Sequence, residues 1–135
     1  MNDHEALVAM AAFLPRLTQP AAKFGTLTTP ERRADGTWST PYWTHGELIA
    51  DFVDMAYRTG WVTCRDWPAW AESPEGQKIV NDPDAIMRAD IDQLRCLVTL
   101  LIRQDRFCDG TLVAAFEDGI IRRVVTRAHD LLMQG

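Results

Sequence analysis

Arg103, Asp105 and Arg106 stand within four positions of one another, and Arg122, Arg123 and Arg127 follow. A carboxylate flanked by guanidinium groups can hold a phosphate or an acidic surface while the carboxylate itself acts as a base. Five of the chain's 14 basic residues fall in this stretch. Counted from Ile91 at about 100° per residue, Asp105 lands inside the apolar arc of Ile91, Leu94, Val98, Leu101 and Ile102. A carboxylate facing a core is costly without a partner. The candidates are backbone N–H groups at the start of the helix near Asp109, or a guanidinium of Arg106, Arg123 or Arg127. The preferred reading makes Asp105 a tie between the long helix and the last one, since buried acids are usually paired for structural reasons. On that reading Asp105→Ala costs several kcal/mol, the usual penalty for a broken buried pair. The functional reading makes it a general base or polar anchor lining a pocket. Arg123 and Arg127 lie one turn apart with Asp130 three residues beyond, which is either a solvated face with local ion pairs or an anion site.

Other chemistry-bearing residues give less. Glu47, Asp51 and Asp54 share one helical face and could meet a hard cation, but Arg58 follows Asp54 by one turn and acids early in a helix favour its dipole. A solvent face is the better reading, and no metal or cofactor is implied. Five tryptophans, at 38, 43, 61, 67 and 70, are many for this length. Large aromatics fill gaps beneath irregular segments, or they form interface anchors. Tyr42 and Trp43, beside a proline and ahead of a helix cap, are the pair best placed to be exposed, and Trp67 and Trp70 are further interface candidates. The two serines, Ser39 and Ser73, have no nucleophile-elbow setting, and the three histidines fit no metal or triad spacing. Cys108 near Arg103 and Arg106 could carry a lowered thiol pKa, but a small buried hydrophobe is its default role.

The elements that must position these residues are mainly helical. A first helix is predicted from a capping box at Asn2 and Glu5, ending at Pro15. Residues 18–42 lose the helical period. Pro, Gly and the short runs Phe24–Thr28 and Thr37–Thr40 suggest a small β-ribbon or irregular layer near residues 24–40, with a turn at Asp35-Gly36. A second helix is bounded by Thr44 with Glu47 as a capping box and by Gly60 as a left-handed stop. Asp66, Ser73 and Asp82 each stand at or just before a proline near a helix start, the pattern of short capped turns. The longest helix is expected from Asp90, boxed by Gln93, to about Arg106. Asp109 should cap a short helix broken at Gly119, and a last helix runs from about Ile120 to Met133. The sum is about six helices, packed as a compact bundle or orthogonal array.

The chain has 135 residues, 47% hydrophobic and 24% charged, a size and balance suited to one globular domain spanning 1–135. The longest apolar runs, Ala6 to Leu14 and Leu97 to Ile102, fall short of the ~18 residues a membrane span needs. Three cysteines without C-x-x-C spacing fit neither a disulfide scaffold nor a zinc site, so the cytoplasm is the expected location. A net charge of −5 argues against general nucleic-acid binding, which wants a basic face, although a local arginine patch remains compatible with it.

One longer pattern runs through the second half: D-W-P-x-W at Asp66 to Trp70, D-P-x-x-I at Asp82 to Ile86, and Ala89-Asp90. Leu97-Val98-Thr99 and Arg103-Gln104-Asp105-Arg106-Phe107-Cys108-Asp109-Gly110 follow, then Leu112 and Phe116-Glu117-Asp118-Gly119. In these residues, and more loosely back through Gly60-Trp61-Val62 to Phe24-Gly25, the chain resembles an uncharacterised bacterial family, the domain-of-unknown-function family 6508. Arg65 departs from it where an apolar residue is expected. The resemblance implies a bacterial or phage-borne domain and no activity. Small size, the missing catalytic constellation, the acidic charge and the aromatic surplus together suggest a non-enzymatic module. It would dock on a bacterial protein complex, as a regulator or mobile-element inhibitor. The alternative is a ligand-binding or enzymatic domain acting on a nucleotide or nucleic-acid phosphate through the Arg/Asp cluster.

Overall fold

The computed structural model describes residues 3–17, 25–27, 34–37, 43–45, 47–63, 66–105 and 110–134. Helices dominate: α1 (Asp3–Ala11), α2 (Leu14–Leu17), α3 (Glu47–Arg58), α4 (Trp67–Glu72), α5 (Pro74–Asn81), α6 (Pro83–Ile86), α7 (Ile91–Gln104), α8 (Thr111–Glu117) and α9 (Ile120–Gln134). The described residues thus hold more helical segments than the six expected, because each cap-and-proline pair between 66 and 88 starts a turn of its own. Two short strands, β1 (Gly25–Leu27) and β2 (Trp43–His45), pair antiparallel with Thr26 opposite Thr44.

Local chemistry explains most boundaries. Pro83 opens α6 and Pro74 opens α5, where a missing N–H does no harm. Ser73 Oγ accepts from Gly76 N–H at 3.1 Å, and Asp82 Oδ1 accepts from Asp84 N–H at 3.0 Å. Asp66 precedes α4 without a side-chain cap bond. At α7 the box is complete: Gln93 N–H donates to Asp90 Oδ1 at 2.8 Å, and Asp90 N–H to Gln93 Oε1 at 2.9 Å. Gly60 ends α3 with φ of 79°, letting Trp61 N–H reach back to the Ala56 carbonyl at 2.9 Å. Asp35 closes its turn by accepting from the Thr37 hydroxyl at 2.7 Å and the Thr37 amide at 3.0 Å, which hold its carboxyl below the ordinary value.

Several expectations need correction. Pro15 does not end the first helical region. It sits at the second position of α2, in a first turn where proline is tolerated. Thr44 is not the cap of α3 but the middle residue of β2. The expected pairing of 24–28 with 37–40 is replaced by Gly25–Leu27 against Trp43–His45, and Thr37 is not in a strand. Gly110, in left-handed conformation with φ of 90°, takes the position before α8 that was assigned to Asp109. With 15 residues α9 exceeds α7, which has 14. Asn2, Asp109 and the second run from 38 to 40 lie outside the described residues.

The helices pack compactly around a hydrophobic core. From α3 come Leu48, Ile49, Phe52, Met55 and Ala56; from α7, Leu94, Leu97, Val98 and Leu100 to Ile102; from α9, Ile121, Val124, Val125 and Ala128. Phe52 is fully buried between Phe13 and Phe116, meeting each edge to face at 5.6 and 5.3 Å. α1 lies mainly along α9, and α8 packs on both α7 and α9. These contacts bring the end of α7 and the start of α8 up against α3.

Candidate functional site

Asp105 follows the last turn of α7 and faces the start of α8. It is half-buried, and its Oδ1 accepts from Leu112 N–H at 3.0 Å. The backbone-amide partner is the first of the candidates that the sequence suggested. The carboxylate therefore ties α7 to α8. Arg103, on the last turn of α7, turns its guanidinium over the Tyr57 ring of α3, 5.8 Å from the centroid. Arg106 lies outside the described residues.

Asp105 lines a groove of about 490 Å³ between α3 and the α7–α8 corner, with Ala50, Val53, Asp54, Tyr57, Ile102 and Leu112. Its character is apolar with two carboxylates. Tyr57 is 42% exposed, one of few large hydrophobic side chains left so open. Asp54 is held at the rim by Arg58 Nε at 2.7 Å, an exposed i,i+4 pair of small energetic weight. Asp51, the neighbouring acid, pairs with Arg16 at 3.1 Å. Asp51 and Asp54 are thus drawn to separate partners, and no group of three or more His, Cys, Asp or Glu side chains among the described residues is placed to hold a metal ion.

The arginines counted together in the sequence are divided in space. Arg127 donates from Nε to the Ala89 carbonyl at 2.9 Å, fastening α9 to the loop before α7. Arg123 lines a different hollow of about 460 Å³, with Met87, Asp118, Gly119, Arg122 and Thr126. No single anion site combines Arg103 and Asp105 with Arg123 and Arg127 among the described residues.

Of the aromatic candidates, Tyr42 lies outside the described residues, and Trp43 is described only as a backbone position of β2. Trp67 and Trp70 are half-buried and pack against the core. Trp70 Nε1 donates to Glu75 Oε2 at 2.8 Å, and Gln93 Nε2 donates to Glu75 Oε1 at 2.9 Å, so one carboxylate clamps α4 to α7. These two tryptophans serve the frame. Trp61, by contrast, is fully buried. Its Nε1 donates to the Ala6 carbonyl at 3.0 Å, and Arg95 lies over its ring at 5.8 Å. Cys64 and Cys108 are outside the described residues.

Sequence reasoning missed three residues. Tyr57 was passed over because it lies off the apolar stripe of α3. Arg95 lies among polar neighbours, yet its side chain is only 17% exposed. It pairs with Asp3 at 2.9 Å and Asp92 at 3.5 Å, while its Nε is buried without a hydrogen-bond partner. Thr99 is the buried polar residue of α7, its hydroxyl shared between the Trp61 carbonyl at 3.2 Å and the Arg95 carbonyl at 2.7 Å. A threonine inside the otherwise apolar run Leu97 to Ile102 was the available signal for it.

The family model described as a family of unknown function, DUF6508, matches residues 2–134, nearly the whole chain. The chain belongs to this family. The D-W-P-x-W and R-Q-D-R-F-C-D-G runs that first pointed to DUF6508 therefore lie inside one continuous match. No curated protein and no solved structure matches the chain. No helix among the described residues of this DUF6508 chain is long and apolar enough to cross a membrane.

Proposed function

We propose that the chain is a small cytoplasmic protein-interaction module that docks through the α3/α7–α8 groove, as a regulator or mobile-element inhibitor of a larger protein complex. The observation that carries this reading is Tyr57. It is an exposed aromatic on the wall of an apolar groove, with an arginine laid over its ring. Tyrosine and arginine beside apolar side chains are the residue types in which binding energy concentrates. Among the described lining residues the charged side chains, Asp54 and Asp105, are both carboxylates, and the chain carries a net charge of −5. The occupant this chemistry suits is an apolar segment of a partner protein that carries a lysine or arginine. A stable contact needs about 800 Å² per partner, roughly a tenth of the 8006 Å² surface here.

The test is affinity capture from host lysate with wild-type protein and two groove variants, Tyr57→Ala and Val53→Glu. One protein retained stoichiometrically by wild type and lost at least tenfold with each variant is the expected outcome, an anchor residue being worth about 2 kcal/mol or more. Equal retention by wild type and variants would remove the groove from the interface. Absence of any stoichiometric protein would count against docking altogether.

A further inference from the structure

We propose that the hollow between the end of α6 and the opening turns of α9 binds a phosphorylated small molecule, with Arg122 and Arg123 holding its phosphate. The hollow measures about 460 Å³, within the range of sites that take small ligands, and is lined by Met87, Asp118, Gly119, Arg122, Arg123 and Thr126. Among the described residues, two arginines against one aspartate give its lining a positive balance, opposite in sign to the chain's net charge of −5.

Most of the other described arginines are engaged elsewhere, with exposed Arg88 the exception. Arg16, Arg58 and Arg95 hold carboxylates, Arg103 covers Tyr57, and Arg127 holds a carbonyl. Arg122 and Arg123 form no ion pair with a described residue, although Asp118 borders the same hollow. They occupy the first turn of α9, where cations oppose the helix dipole and lower stability. A pair of guanidinium groups kept at a cost, without a carboxylate partner and at the wall of a ligand-sized hollow, is the arrangement that a bound phosphate would repay. Arg123 folds back toward Gly119, another lining residue: its Nη1 lies 3.5 Å from where a Cβ on Gly119 would sit. Thr126, one turn on, adds a hydroxyl, and Met87 supplies an apolar wall for the part of the ligand beyond the phosphate.

Titration calorimetry with inorganic phosphate, pyrophosphate and ADP tests this on wild type, on Arg122→Gln/Arg123→Gln and on Asp118→Asn. A twelve-residue single-stranded DNA serves as a further probe. The expected result is saturable one-to-one binding of pyrophosphate or ADP, weakened at least tenfold in the double variant and tightened in Asp118→Asn. The double variant alone should melt at or above the wild-type temperature, which separates lost binding from lost folding. Tyr57→Ala should bind as wild type does, so this site and the docking groove stand or fall separately. No saturable heat with any of the three phosphates overturns the proposal. So does equal affinity in the double variant, and binding of the DNA alone would reassign the arginines to nucleic acid.

Discussion

Trp61 carries one polar atom on its side chain, and the fold finds a partner for it in the Ala6 carbonyl while burying the whole residue. Trp61→Phe should then cost about 2 kcal/mol, the sum of a lost hydrogen bond and a small cavity. Trp61→Ala should cost about 3–5 kcal/mol. Urea unfolding followed by circular dichroism checks both, and a phenylalanine variant as stable as wild type would mean that the hydrogen bond contributes nothing. Asp105 calls for a smaller number than its sequence position suggested. A half-buried carboxylate that accepts from Leu112 N–H works as a capping group rather than as a buried ion. Asp105→Ala should lose about 1–2 kcal/mol, and Asp105→Asn, whose amide oxygen can still accept, should stay close to wild type. A loss of 4 kcal/mol or more in the alanine variant, on the scale of a broken buried pair, would restore the first reading. What the sequence could not show at this scale is proximity. Arg103 and Arg123 belong to one arginine-rich stretch of the chain, yet one covers Tyr57 and the other lines a separate hollow. Trp61 meets Ala6 and Thr99 across separations of 55 and 38 residues, which no local pattern records.

Among the elements, the α4–α5 corner shows how short helices are held in place. Ser73 donates to the Trp70 carbonyl at 2.6 Å and accepts from Gly76 N–H, closing α4 and opening α5 with one hydroxyl. Ser73→Ala should cost about 1 kcal/mol, read from the shift in the urea midpoint. Gly76 is a sharper case. A Cβ there would stand 1.9 Å from the Trp70 carbonyl oxygen and 2.8 Å from its carbon, both backbone atoms that cannot step aside. Gly76→Ala should therefore cost about 3 kcal/mol or more, beyond any gain in helix propensity. An alanine variant as stable as wild type would show that α4 and α5 can part freely. The caps at Ser73, Asp82 and Asp90 and the stop at Gly60 were legible because each is a local bond or a local dihedral. Pro15 and Thr44 misled because a proline suits a first turn as well as a terminus, and because a threonine before a glutamate also suits a strand. The close approach at Gly76 was illegible, since it depends on where the preceding helix ends.

Over the whole molecule, the two ends of the chain are fastened together. α1 lies along α9, the Ala6 carbonyl receives the Trp61 indole, and Asp3 meets Arg95 of α7. Phe13, just past α1, meets Phe52 edge to face, and Phe52 meets Phe116 in the same way. No helix among the described residues is long enough to persist alone in water, so each depends on the faces its neighbours cover. The consequence is cooperativity: removing one wall should loosen all of them. Met10 is fully buried on α1, and Met10→Ala should lower stability by about 2–5 kcal/mol. Helical circular dichroism and tryptophan fluorescence should nevertheless still melt together, in wild type and variant alike. If α1 were an accessory, the variant would instead show two steps: fluorescence would change first, as the Trp61 indole lost the Ala6 carbonyl, and helix content would follow. Coincident curves would establish that residues 3–134 fold as one unit. The docking groove and the arginine hollow would then be two faces of a single body, able to influence one another through the core.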